Sequence, residues 1–215
     1  MKSIPYLLPL IFTISLLSCG GNSDYEWDDF DDDYVSTATL NIDNGTDTTA
    51  LVTITPEDKD TVYDFTIMGL EMDRVVLPYG DYHVKAVTVT DSVIVDEDFE
   101  LSDDDYAYSF NLNLTQEDYI VENIKYVVGS TGDEVLSSSF TYEGKTYDGI
   151  DANVIKGKLI VPNQWDYNLD EESPQEVTLY DGQNSTTKKK LYRSSTFILY
   201  LELIELFEQY GAEEE

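Results

Sequence analysis

From Ser36 onward the chain is cut into short apolar and β-branched runs, each closed by Asp, Gly, Pro or Ser, and only its C-terminal end sustains a helical period. Runs of this length between turn residues make the strands of an all-β sandwich or barrel. Thr37-Ala38-Thr39-Leu40-Asn41-Ile42 alternates, meets the turn signal Asp43-Asn44-Gly45, and resumes at Ala50-Leu51-Val52-Thr53-Ile54-Thr55, which predicts a hairpin with a long loop. Further strands are expected at Val62 to Ile67, Arg74 to Leu77, Tyr82 to Thr90, Val93 to Phe99 and Tyr106 to Leu114.

A second region follows Tyr119 to Val128, with the boundary near Gly129. Residues 36–128 then form the sandwich and residues 129–215 a compact α+β unit. In that unit Phe140 to Tyr147 reads as two very short strands around Glu143-Gly144, Lys158 to Val161 as another, and Glu176 to Tyr180 with Lys188 to Tyr192 as a further hairpin. Asn163 to Pro174 is a loop. Ser194-Ser195 offers an N-cap, Gly211 a stop, and the helix between them spans about residues 195–210. Leu199, Leu203, Leu206 and Tyr210 form one apolar row on it and Phe197, Tyr200, Leu201, Ile204 and Phe207 an adjacent one, with Glu202, Glu205 and Glu208 on the wet stripe. So wide an apolar face predicts deep burial against the C-terminal sheet.

Leu77-Pro78-Tyr79-Gly80-Asp81-Tyr82-His83-Val84-Lys85-Ala86 has a local logic of its own. Pro78 presets φ in a turn, Gly80 tolerates positive φ, and Tyr82, Val84 and Ala86 share one face of the next strand. The stretch resembles the L-P-x-G-x-Y-x-V-x-A signature of PEGA and carboxypeptidase-regulatory-like domains. That resemblance covers roughly residues 36 to 115 and implies an Ig/transthyretin-like β-sandwich, a module that serves as spacer or binding platform. It informs fold more than function.

The N-terminus carries a different signal. Met1-Lys2 followed by an apolar run from Ile4 to Leu17 is a secretory leader, residues 1–18, and is too short for a membrane span. Leu16-Leu17-Ser18-Cys19 resembles the bacterial lipobox, which implies that Cys19, the one cysteine of the chain, is acylated with palmitate-type chains and anchors the protein to a membrane. Loss of residues 1–18 removes one base, Lys2, and no acid, so the formal charge of −32 becomes still more negative. Such a charge repels phosphate backbones and excludes nucleic acid as a partner. Residues 19–35 read as a tether kept extended by the acids of Asp24 to Asp33. The acidic run resembles the export signal of surface lipoproteins of the Bacteroidota, although it starts five residues after Cys19. The resemblance implies a cell-surface position on the outer membrane.

Catalytic chemistry is thinly represented. The single histidine, His83, lies on a strand opposite Tyr82 and Val84 and reads as a surface residue. There is no G-x-S-x-G elbow, H-E-x-x-H helix or phosphate-binding Gly-rich loop, and 44 acids make any carboxylate pair uninformative. Oxygen-rich loops suit Ca²⁺, Asp103, Asp104 and Asp105 foremost, although none has EF-hand spacing. Trp165-Asp166-Tyr167, flanked by Asn163 and Asn168, offers either a stacking platform for sugar rings on Trp165 and Tyr167 or a plug for a small core. Thr48, Thr61 and Ser92, each preceded by Asp, are similar to O-glycosylation sites of exported Bacteroidota proteins.

Together these features read as a surface lipoprotein acting as a non-catalytic binding or structural accessory, its partner a glycan or a surface protein and its cofactor none, Ca²⁺ apart. A fimbrillin-like pilus subunit that donates an edge strand is the alternative. A glycan-active enzyme using carboxylates ranks third.

Overall fold

The computed structural model describes residues 36–102, 108–127, 138–180 and 182–211. Cys19, residues 19–35 expected to form a tether, and Asp103 to Asp105 lie outside them. The described chain is mainly β, with thirteen strands and one C-terminal helix.

Two four-stranded sheets face each other. In the first, β1 (Thr37–Asp43) is central, with β4 (Met72–Pro78) antiparallel on one side and β7 (Ser109–Asn113) parallel on the other. The short strand β12 (Ile160–Pro162) extends it beyond β7, giving the order β12-β7-β1-β4. The second sheet runs β3-β2-β5-β6, from β3 (Tyr63–Ile67), β2 (Ala50–Pro56), β5 (Gly80–Thr88) and β6 (Val93–Leu101), all antiparallel. Because side chains alternate across a strand, Leu40 and Ile42 of β1 and Phe110 and Leu112 of β7 point to one face, toward Val52 and Ile54 of β2 and Val84 and Ala86 of β5. These residues make one continuous core.

The turn into β5 takes the form its residues dictate. Gly80 has φ +149°, and the buried Tyr82 donates its hydroxyl to the Pro78 carbonyl at 2.6 Å while stacking on Phe99 at 5.5 Å. Burial pushes the Tyr82 phenol up to about 12.

The expected β1–β2 hairpin does not form. Both edges of β1 are taken, by β4 and β7, and the chain after Asp43 crosses to the other sheet. Asn44 steers that crossing, its buried amide donating to Thr48 O at 2.8 Å, Met68 O at 3.0 Å and Ile67 O at 3.1 Å.

Beyond the sandwich, β8 (Tyr119–Val127) lies between β11 (Ala152–Ile155) and β13 (Ser185–Arg193). β9 (Ser139–Tyr142) and β10 (Lys145–Asp148) form the expected small hairpin, with Glu143 and Gly144 both left-handed at φ 49° and 84°. The change of sheet therefore falls between β7 and β8 rather than at Gly129, and β12 returns to the sandwich. β13 pairs with β8 along its whole length, so the hairpin expected between Glu176–Tyr180 and Lys188–Tyr192 is absent and residues 176–180 form no strand. Strand β11 had escaped the sequence reading.

At the start of β8, Tyr119 to Val121, both faces are buried. Tyr119 and Val121 join Val161, Trp165 and Leu191 on the side toward the sandwich, while Ile120 joins Phe140, Tyr147, Phe197 and Leu201 on the other. Helix α1 (Ser194–Gly211) leaves β13 directly. Its expected deep burial holds only for Phe197 and Leu201, whereas Leu199, Tyr200, Leu203, Leu206, Phe207 and Tyr210 are 43 to 73% exposed. No helix among the described residues is long and apolar enough to cross a membrane.

Candidate functional site

The outward residues of β1 and β7 are Asn41, Asp43, Asn111 and Asn113, and in a free sandwich they would face water. Here all four are buried beneath the C-terminal segment. Each therefore needs a polar partner, since an unpaired buried polar group costs about 1–3 kcal/mol and a charge more.

Asp43 finds its partners far along the chain. Its Oδ1 accepts from Arg193 Nε at 3.0 Å and in a second, closer contact from Nη2, and its Oδ2 accepts from the Tyr119 hydroxyl at 2.6 Å. Arg193 Nη2 also donates to the Leu70 carbonyl at 3.2 Å. Burial works against the Arg193 charge, but the bonds to Asp43 and its attraction outweigh it and hold the guanidinium above its ordinary value. The Tyr119 phenol is raised by burial and by the Asp43 charge, so it stays a donor. Glu117, close to the same group, is held above its ordinary value chiefly by burial.

A second cluster is neutral apart from one lysine. Asn41 Nδ2 donates to Ser109 Oγ at 3.0 Å, Phe110 O at 3.1 Å and Asn111 Oδ1 at 3.2 Å. Asn111 and Asn168 exchange a reciprocal amide pair at 2.9 and 3.1 Å, which ties the loop after β12 to the sandwich. Lys190 is buried without a carboxylate in hydrogen-bonding contact among the described residues, its ammonium donating to the carbonyls of Asn168 and, at 3.3 Å, Leu169. Burial lowers its pKa.

Above the Asp43–Arg193 pair opens a cleft of about 290 Å³, lined by Leu70, Glu71, Met72, Leu169, Asp170 and Arg193. Asp170 also meets Arg74 at 3.6 Å. The cleft combines three apolar side chains with two carboxylates and the edge of a guanidinium already neutralised by Asp43. Its charge favours a neutral or cationic polar molecule over an anion.

The sequence-derived candidates fall elsewhere. Trp165 is 8% exposed within the cluster of Tyr119, Val121, Val161 and Leu191, so it plugs that core and presents no open ring face for a sugar. Its indole Nε1 is buried with no hydrogen-bond partner among the described residues. Tyr167 is half-buried, and its main chain bridges β13 through Lys189 O at 3.0 Å and Leu191 N at 2.9 Å. Thr48, Thr61 and Ser92 sit on exposed turns. Cys19 and Asp103, Asp104 and Asp105 lie outside the described residues, among which no group of three or more His, Cys, Asp or Glu is placed to hold a metal ion.

His83 bridges two carboxylates, with Nδ1 2.6 Å from Asp98 and Nε2 2.9 Å from Asp96. Chiefly the Asp98 bond, and then Asp96, raises its pKa.

Asn111, Lys190 and Arg193 were not singled out by sequence reasoning, which named Asp43 only as a turn residue and Asn168 only as a flank of Trp165. The available signal was the pair Leu40-Asn41-Ile42-Asp43 and Phe110-Asn111-Leu112-Asn113, since Asn and Asp are depleted in strands and here share one face. No protein-family model, curated protein or solved structure matches this chain.

Proposed function

We propose that this protein is a lipid-anchored lipoprotein of the outer-membrane surface whose folded part is a non-catalytic binding or structural accessory module. The observation that carries the non-catalytic reading is the buried group at the cleft floor: Arg193 and Tyr119 both turn onto Asp43, joining sandwich to C-terminal layer. Groups committed to one another in this way hold a surface rigid, as a binding module requires. The anchored reading rests on Leu16-Leu17-Ser18-Cys19. A hydroxyl-rich, uncharged ligand such as a glycan suits the cleft.

The anchor is tested by acyl-alkyne labelling of the native chain and of Cys19→Ala, followed by proteinase K digestion of intact cells. Labelling that needs Cys19, with the protein lost from whole cells, is expected; full protection would move it to the periplasmic face. Binding is tested on a glycan panel, where a hit weakened by Asp170→Ala is expected. Turnover of any panel member would overturn the non-catalytic reading.

A further inference from the structure

We infer that a second copy of this chain packs, antiparallel, along the outer face of α1, so that the protein is a two-fold dimer. This goes beyond the accessory reading and does not depend on it. Phe197 and Leu201 fix the inner face of α1, Phe197 meeting Phe140 edge-on at 5.8 Å and Tyr192 at 4.9 Å, with Lys145 bonded to Glu205 at 2.8 Å and 3.8 Å from Glu202. The face turned away from the sheet is apolar and uncovered.

Its spacing points to a helix as occupant. Leu199, Leu203, Leu206 and Tyr210 are separated by four, three and four residues, the d-a-d-a seam of a heptad, over about 16 Å of helix. Tyr200 and Phe207 stand at e positions and widen the seam, and Glu202 and Gln209 are its g positions. With about 200 Å² for each large side chain, the exposed fractions of the six apolar residues amount to roughly 650 Å² per copy, close to the ~800 Å² per partner of a standard interface.

Charge selects a copy of this chain in one orientation. The seam holds no charged residue, and antiparallel packing sets Glu202 against Gln209 of the second copy, whereas a parallel pair would set it against Phe207. It also opposes the helix dipoles.

The test uses the full chain with Cys19→Ala, so that acyl chains cannot gather copies, in analytical ultracentrifugation across micromolar concentrations. A concentration-dependent dimer is expected, and Leu203→Glu with Leu206→Glu should weaken it at least about a hundredfold while leaving the circular dichroism unchanged, and the Tm unchanged at concentrations below association. Oxidative cross-linking fixes the orientation: Leu199→Cys with Tyr210→Cys should link copies and Leu203→Cys alone should not. A monomer at every concentration, or a dimer indifferent to the Glu substitutions, would overturn the inference and leave the face to a different protein. Cross-linking through Leu203→Cys alone would overturn the antiparallel arrangement.

Discussion

In β1, Asn41 and Asp43 are 3% and 0% exposed, whereas in α1 Leu199 and Phe207 are 58% and 73% exposed. Polarity alone would have assigned the reverse. The difference lies in what each surface finds within its own chain. The polar face of β1 is covered because the covering segment brings matching groups, Arg193 and Tyr119 for Asp43 and Asn168 for Asn111. Helix α1 spends its inner face on Phe140 and Tyr192, and no described residue remains to cover the rest. Burial thus follows partner supply, and apolarity is only one way of supplying a partner.

The comparison breaks most visibly at Arg193. Arg193→Ala leaves the Asp43 carboxylate buried with only the Tyr119 hydroxyl, and removal of one member of a buried pair costs about 3–5 kcal/mol. Urea unfolding should show that loss as a lowered midpoint. Arg193→Lys should recover little of it, since an ammonium does not reproduce the paired Nε and Nη2 contacts. A variant within 1 kcal/mol of the parent, roughly the size of one ordinary hydrogen bond, would mean that water takes over the role of Arg193.

Asn111→Ala removes one member of the reciprocal amide pair and leaves the Asn168 amide without it. The expected cost is about 1–3 kcal/mol, read by the same denaturation. Proteolysis of the loop after β12 should quicken in parallel, because Asn111 is what ties Asn168 to the sandwich. Loss of stability without faster cleavage would place the effect in the sheet instead.

The sequence made the sandwich strands legible because one period-2 pattern held from Thr37 to Phe99, and the helix bounds because Ser194 and Gly211 mark them. Pairing was less legible. Asp43-Asn44-Gly45 is a good local turn signal, but a local signal cannot register that β4 and β7 claim both edges of β1. β8 and β13 are separated by a long stretch of chain, and no spacing rule links Tyr119 to Arg193. Asp43 and Arg193 stand 150 residues apart, so the cleft floor exists only once the fold is complete. Trp165 was named for the right kind of residue in the right loop, but its ring turns into the core beside Leu191.

At the opposite pole from Arg193, Leu199→Ser deletes an apolar side chain that the folded monomer hardly uses. Unfolding measured at concentrations below association should move by no more than about 0.5 kcal/mol. A loss above 1 kcal/mol, twice that bound, would show that the outer face of α1 is covered within a single chain, and the contrast with β1 would narrow.

His83 gives the smallest effect and separates an exposed ion pair from a buried one. Its folded pKa is raised, first by the Asp98 hydrogen bond and then by Asp96, above the ordinary value of about 6.5. A raised histidine contributes stability that is fully present below the ordinary value and is lost as pH rises through the folded one. The side chain is 41% exposed, so solvent screens the contribution and the shift in Tm should be slight. Comparing the parent with His83→Gln, the parent's advantage should be largest near pH 6, should fade as pH rises, and should shrink in 1 M salt, where the screening length is about 3 Å. The destabilisation by Arg193→Ala should persist in the same salt, because no ions enter around a carboxylate that is fully buried. If salt left the His83 advantage intact, His83, Asp96 and Asp98 would have to be shielded from solvent as Asp43 is.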